Sequence, residues 1–209
     1  MNQEATARQK GCETLVYELH GNLYLNITNR CSLRCTYCPK FNHTWTVQDY
    51  ALRLSSEPDT GQILKQIERP ESYKQIVFCG LGEPTTRLDT VLDISRALKK
   101  RGATIRLNTD GLANLVHGRD VTTALAECVD EVSVSMNAQN TELYTQHCRP
   151  KQAYSYEYML EFVRKLHSRK KGVTLTAIDG LQGVDILQCQ KMADAMGVNF
   201  RRRTLGLVG

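Results

Sequence analysis

The stretch NLYLNITNRCSLRCTYCP (residues 22–39) holds two signals back to back. In its first half apolar and polar residues alternate, with Leu23, Leu25 and Ile27 on one face, the period of a β-strand. In its second half Cys31, Cys35 and Cys38 follow with the spacing C-x3-C-x2-C. A strand that ends in three clustered thiols raises a question of architecture and a question of chemistry.

The architecture follows from the pattern on either side. Upstream, LVYEL (15–19) also alternates, and His20 and Gly21 separate it from the next strand as a hairpin or one extended segment. Downstream, short apolar runs alternate with helical periodicity. Strands are expected at QIVFC (75–79), TIRLNT (104–109), EVSVSM (131–136), VTLTAI (173–178) and VNFRRR (198–203). Between them the apolar spacing predicts helices over 59–69, 87–101, 112–128 with a break near Gly118, 154–171 and 184–196. Gly102, Gly172 and Gly197 stand where left-handed residues close helices. The segment 39–58 is the least regular and reads as a loop with a short helix.

Six strands joined by helices form a parallel sheet with crossover connections. The expected fold is α/β, a partial, open-sided (β/α)6 barrel, with residues 1–21 as an N-terminal extension and 22–203 as one barrel domain. In such sheets ligands bind at the carboxyl ends of the strands. There the sequence puts the cysteine cluster, GLGEP (80–84), NTDG (108–111), SMNA (135–138) and IDG (178–180). Five polar or glycine-rich stretches on one rim define a site.

Composition sets the limits. Of 209 residues 41% are apolar and 23% charged, close to averages for globular domains. The excess of 27 Lys and Arg over 22 Asp and Glu gives a net charge of +5, too small to argue for nucleic acid. The polar N-terminus has no secretory h-region, and no run reaches the length of a spanning helix, so a soluble cytoplasmic protein with no membrane partner is expected. In a reducing compartment the eight cysteines read as core residues or metal ligands rather than disulfides. Cys79, Cys128 and Cys189 lie in apolar periodic segments and read as core. Cys12 and Cys148 receive no role.

Thiolates suit zinc or iron–sulfur clusters. A structural zinc site wants four ligands, with His43 or a distant cysteine as the missing one. A [4Fe–4S] cluster held by three thiolates keeps one iron open to bind a ligand.

With Tyr37 just before the last cysteine, C-x3-C-x2-C resembles the signature of the radical SAM superfamily. FCGLGEPTTRLD (78–89) resembles that family's glycine–glutamate–proline motif after the second strand. Together with LYLNITNRC (23–31) and LQGVDILQCQKMADAMGVNFRRR (181–203), the chain looks most like the small TatD-associated members. The resemblance implies a [4Fe–4S] cluster on Cys31, Cys35 and Cys38, with S-adenosylmethionine chelating the open iron. Reductive cleavage would give methionine and a 5′-deoxyadenosyl radical that abstracts hydrogen from a substrate. It implies a one-electron donor of flavodoxin or ferredoxin type. Tyr37 would lie against the adenine. Gly80 and Gly82 would let backbone approach the methionine ammonium, with Glu83 and Pro84 fixing the turn. Thr109, Ser135 and Asn137 would contact the cofactor, Arg149 its carboxylate and Ile178 its adenine.

The chain departs from the family pattern at Leu81, at Asp110 in place of asparagine and at Asn137 in place of aspartate. His43, His117 and His147 read as loop or surface residues, and no general base is named. The segment 39–58, with Trp45 and Tyr50, is expected to cover the open flank and govern substrate access. The substrate is not legible. Rival readings are a glycyl-radical activase, a small-molecule enzyme resembling the deazaguanine-forming members, and a zinc-binding nucleic-acid module using Arg169–Lys171 and Arg201–Arg203.

Overall fold

The structure, a computed structural model, describes residues 13–169 and 172–206. Cys12, Lys170 and Lys171 lie outside the described residues. Among the described residues nine strands and seven α-helices run in the order β1 (Val16–Leu19), β2 (Asn22–Leu25), β3 (Thr46–Val47), β4 (Tyr50–Ala51), α1 (Thr60–Leu64), β5 (Ile76–Phe78), α2 (Leu88–Lys99), β6 (Ile105–Thr109), α3 (Ala113–His117), α4 (Thr122–Cys128), β7 (Glu131–Ser135), α5 (Thr141–Cys148), α6 (Ser155–Arg169), β8 (Val173–Asp179), α7 (Ile186–Ala195) and β9 (Asn199–Thr204). Seven strands make one open sheet, β1-β2-β5-β6-β7-β8-β9. Every neighbour from β2 to β9 is parallel, and β1 pairs antiparallel with β2 as a hairpin through His20 and Gly21. The chain is thus a partial barrel of six parallel strands with one antiparallel strand on its edge.

The period-2 parity of the strands sorts side chains onto two faces. Leu25, Phe78, Ile105, Leu107, Val132, Val134, Leu175 and Ala177 face the helices and form the main core with the apolar stripes of α2, α4 and α6. The opposite, concave face carries a smaller apolar cluster of Tyr17, Tyr24, Val47, Leu52, Val77 and Leu81. Cys128 and Cys189 are buried in the main core, as the sequence predicts. Cys79 is not there. It shares the parity of Val77, so it lies on the concave side, half-buried.

Four segments differ from the sequence reading. Helix α1 is one turn, Thr60–Leu64, closed at its start by an Asp59–Gln62 capping box, and Pro70 opens a separate 3₁₀ turn. Pro84–Arg87 is likewise a 3₁₀ turn ahead of α2, with Pro84 at its first position and Glu83 as its N-cap. Thr141–Cys148, to which the sequence reading assigns no element, is α5, capped by Asn140, whose side chain accepts from Leu143 N. The segment 39–58 holds no helix. It contains the hairpin β3–β4 around Gln48 and Asp49, with Gln48 in the left-handed region at φ 49°. Val47, Trp45 and Tyr50 pack it onto Tyr17 and Tyr24, and Asn26 Nδ2 donates to Leu52 O at 2.9 Å. The hairpin covers the concave face beside the β1 edge, where the sequence reading put a flank cover.

Candidate metal and cofactor site

The three cysteines lie on the loop that follows β2, and all are half-buried. Cys38 N donates to Cys35 O at 3.2 Å and Phe41 N to Cys38 O at 2.9 Å, so the cluster's second half is a tight turn. Leu33 N donates to Cys31 Sγ at 3.4 Å. The loop is tied to the rim at several points. Arg34 N and Thr36 N donate to Cys148 O and His147 O, at 3.0 and 2.9 Å, which docks the loop on the end of α5. Lys151 Nζ reaches Cys31 O at 3.0 Å, and the Ser32 hydroxyl donates to Asp110 Oδ2.

Glu83 joins three rim segments. Its N–H donates to Arg30 O at 2.7 Å. Its Oε1 accepts from Thr85 N, Thr85 Oγ1 and Thr109 Oγ1 at 3.0, 2.7 and 2.8 Å, and its Oε2 accepts from Asp110 N at 2.6 Å. Glu83 and Pro84 therefore fix the turn after β5, and Glu83 also locks it to the end of β6. Burial, and then the neighbouring Asp110 carboxylate, pushes Glu83 up to about 8; burial also raises Asp110. Asp110 uses its carboxylate on Ser32 and on Leu112 N at 2.9 Å.

The two glycines of the turn answer to the chain itself. A Cβ at Gly82 would sit 2.2 Å from Thr28 O, and one at Gly80 2.3 Å from Asn26 Oδ1. Both are glycine because the β5 turn lies against the strand end that carries the cysteines. Leu81, between them, turns into the concave apolar cluster and is buried.

Other expected site residues fall along the same rim. The Tyr37 hydroxyl lies 3.5 Å from Cys148 Sγ. Asn137, buried at φ 61°, donates to Ser135 O at 3.3 Å and to Cys148 Sγ at 3.8 Å, and accepts from Arg203 at 3.1 Å. Ile178 ends β8 in register with Arg203. Arg149 is the left-handed C-cap of α5 and lines a cleft of about 390 Å³ with Arg34, Cys35, Phe41 and His43. His117 and His147 differ from the surface reading. Each ring meets a backbone carbonyl, Thr85 O at 2.7 Å and Gln182 O at 2.8 Å, and His147 is buried.

Sequence reasoning passed over Cys148. It is fully buried at the end of α5, beside Cys35. The neighbouring Cys148 thiol, followed by burial, holds Cys35 well above the usual thiol range, while burial and then the carboxylates of Asp110 and Glu83 do so for Cys31. The missing signal was α5 itself: its Asn140 cap places Cys148 one helix from the rim.

Among the described residues no three His, Cys, Asp or Glu side chains converge as a cage for one metal ion. Three soft thiols spread along one short loop suit a polynuclear group, which meets its ligands at separate corners, better than a single zinc.

The chain matches the family model "Radical SAM superfamily" over residues 25–196, and it belongs to that superfamily of enzymes. It is 39% identical over 93 residues to a tungsten-containing aldehyde ferredoxin oxidoreductase cofactor-modifying protein of Pyrococcus furiosus, a match to 43% of this chain and 23% of the relative. To a GTP 3′,8-cyclase of Limosilactobacillus fermentum it is 26% identical over 187 residues, 88% of this chain and 53% of the relative. A solved radical SAM methyltransferase from Sphaerobacter thermophilus superposes with a TM-score of 0.60 at 15% identity, covering 90% of this chain and 68% of that one, which shows a common fold. The chain spans about half or less of the curated relatives it matches. No helix among the described residues is long and apolar enough to cross a membrane.

Proposed function

We propose that this chain is the catalytic core of a radical SAM enzyme, with a [4Fe–4S] cluster on Cys31, Cys35 and Cys38 and S-adenosylmethionine bound along the rim from β5 to β8. The observation that carries this reading is the placement of three half-buried thiols on one loop at the carboxyl end of the first parallel strand. When bound, the cluster supplies the electron that cleaves the cofactor to methionine and a 5′-deoxyadenosyl radical. The protein's own part is positional. Glu83 holds the β5 and β6 turns together beside the cysteine loop. Burial of Cys31 and Cys35 keeps water from the loop's inner side. Loading requires these thiols to give up their protons, which the burial of Cys31 and Cys35 opposes in the cluster-free chain.

A flavodoxin- or ferredoxin-type protein would deliver the electron, and a cytoplasmic setting fits that need. The hydrogen donor would bind on the concave side, under the 39–58 segment. The test is anaerobic reconstitution. About four irons per chain with matching sulfide are expected, together with an EPR spectrum of the reduced protein that changes on adding S-adenosylmethionine. Alanine at Cys31, Cys35 or Cys38 should abolish iron binding, and alanine at Cys189 should not. Zinc as the sole metal taken up, or full iron content in Cys35→Ala, would defeat the reading.

A further inference from the structure

The concave face of the sheet carries three arginines that no carboxylate neutralises among the described residues. Arg106 on β6 shares the parity and register of Val77. Arg201 on β9 lies in register with Thr176, and Arg203 with Ile178. Their neighbours in sequence, Leu107 and Phe200, face the helix-side core, so all three guanidinium groups stand on the concave side. They lie close enough to act on one another. Burial first, and then the charges of Arg106 and Arg203, push Arg201 below its ordinary value.

No carboxylate lies within ion-pair distance of any of the three among the described residues. Arg106 donates to Gln75 Oε1 at 2.8 Å and Tyr24 OH at 3.3 Å, and Arg203 to Asn137 Oδ1 at 3.1 Å. All three Nε atoms are buried without a hydrogen-bond partner, and Arg201 makes no side-chain hydrogen bond among the described residues. By contrast Arg202, of opposite parity on the same strand, points outward and pairs with Asp179.

Three like charges held together, half-buried and unpaired, are unfavourable for folding unless something else compensates them. Their Nε atoms are shut away from solvent, so water compensates these charges only in part. The remaining wall of the concavity is apolar and aromatic, with Tyr17 and Tyr24 stacked at 5.1 Å. The concave face thus has a basic end, on β6 and β9, and an apolar end packed under the β3–β4 hairpin.

We propose that Arg106, Arg201 and Arg203 form an oxyanion-binding site inside the partial barrel that takes the phosphate or carboxylate group of a small-molecule substrate. The inference rests on the radical SAM reading for the word substrate, but the anion site itself does not need the cluster. Guanidinium forks match both oxyanions in geometry, and the terminal N–H groups of Arg201, which meet no other side chain among the described residues, are the donors left for them.

The experiment uses the cluster-free full chain at low ionic strength, titrated with inorganic phosphate, pyrophosphate and succinate by calorimetry. The arginine Nε–H resonances are followed by NMR in the wild-type protein. Binding of at least one oxyanion is expected, with shifts of Nε–H signals that are absent from the spectrum of Arg201→Gln. Arg201→Gln should weaken binding roughly tenfold or more, the weight of a charge-assisted hydrogen bond. It should also unfold at a higher temperature than wild type when no anion is present, because a repulsion has been removed. Arg202→Gln should bind as wild type does. Preference for pyrophosphate over succinate assigns a phosphoryl group, and the reverse a carboxylate.

No binding of any of the three, equal loss in Arg202→Gln, or binding confined to oligonucleotides would overturn the proposal. Anion binding without any effect of S-adenosylmethionine on the reconstituted protein's EPR spectrum would defeat the enzyme reading and leave the anion site standing. The opposite pair of results would defeat the anion site alone.

Discussion

Gly82→Ala probes the joint between the β5 turn and the cysteine loop. A methyl carbon there would lie 2.2 Å from Thr28 O and 2.8 Å from Arg30 O, the first 0.8 Å inside the 3.0 Å limit that real Cβ contacts observe. Both obstacles are backbone, so no rotamer change relieves them. The two segments must separate, and the Glu83 N to Arg30 O bond, now 2.7 Å, is stretched to the edge of hydrogen bonding. Overpacking strain of about 1–3 kcal/mol and one lost hydrogen bond worth about 1 kcal/mol together give about 2–4 kcal/mol. For a chain of this size that lowers the melting temperature by about 6–12 °C at the middle of the range. The assay is thermal unfolding of the cluster-free protein followed by circular dichroism.

Gly118→Ala is the comparison. Its Cβ meets nothing within 4 Å, and only its left-handed φ of 62° counts against it, for a cost of about 1 kcal/mol, or about 2–4 °C. If Gly82→Ala melts no lower than Gly118→Ala, the packing argument for the glycine is wrong, and the residue is kept free for a ligand instead.

The pH dependence of stability should carry the mark of Glu83. Its pKa is raised in the fold, so the stability it contributes is full below its unfolded value near 4.5 and is lost as pH climbs through about 8. The cluster-free protein should therefore melt lower at pH 9 than at pH 6, and Glu83→Gln should flatten that difference; an equal slope in the variant assigns it to other groups. Cys148→Ala removes the neighbouring thiol that holds Cys35 up, so Cys35 should react faster with an alkylating reagent in the cluster-free chain, read by mass spectrometry of the labelled peptide. Arg87 binds Ile27 O at 2.9 Å and Pro58 O at 2.7 Å from a half-buried position, and Arg87→Ala should lower urea stability by about 2 kcal/mol; an unchanged midpoint would mean that water replaces both bonds without loss. Trp45→Ala should leave iron content intact and abolish hydrogen abstraction from the substrate, and loss of the iron would make the 39–58 segment structural.

The sheet was legible because each strand carries its own evidence. The alternation in Leu23 to Ile27, the apolar run before Cys79 and the glycines after α2, α6 and α7 act within a few residues of where they are read. The rim followed, since parallel topology alone puts the ends of β2, β5, β6, β7 and β8 side by side. The misreadings have one cause: the deciding partner is far away in sequence. The turn at Gln48 is held by Tyr17 and Tyr24, so the local composition of 39–58 suggested a loop with a helix. Cys148 looked isolated because its neighbour, Cys35, is more than a hundred residues distant. The carbonyl that excludes a side chain at Gly82 belongs to Thr28, more than fifty residues away, so no local pattern shows that packing.

The departures from the family pattern take on meaning from the same distant contacts. At position 137 the pattern carries aspartate and this chain asparagine. The side chain at 137 accepts from Arg203 at 3.1 Å. An aspartate there would form an ion pair with Arg203 and neutralise one of the three concave arginines; the amide keeps the hydrogen bond and leaves the charge unspent. Asn137 thus orients Arg203 without competing for it, which suits a site that receives its negative charge from a ligand. Position 110 shows the reverse exchange, an asparagine replaced by aspartate. Its added charge is kept away from the concavity, on the Ser32 hydroxyl and on Leu112 N, and beside Glu83 it is offset by a carboxyl that holds its proton up to about pH 8. One substitution withholds a negative charge from the arginines, and the other places one under the cysteine loop, where Ser32 fastens it. Asn137→Asp should therefore raise the melting temperature of the cluster-free protein and weaken its binding of oxyanions together. A variant that binds phosphate as tightly as wild type would show that Arg203 is not part of the site.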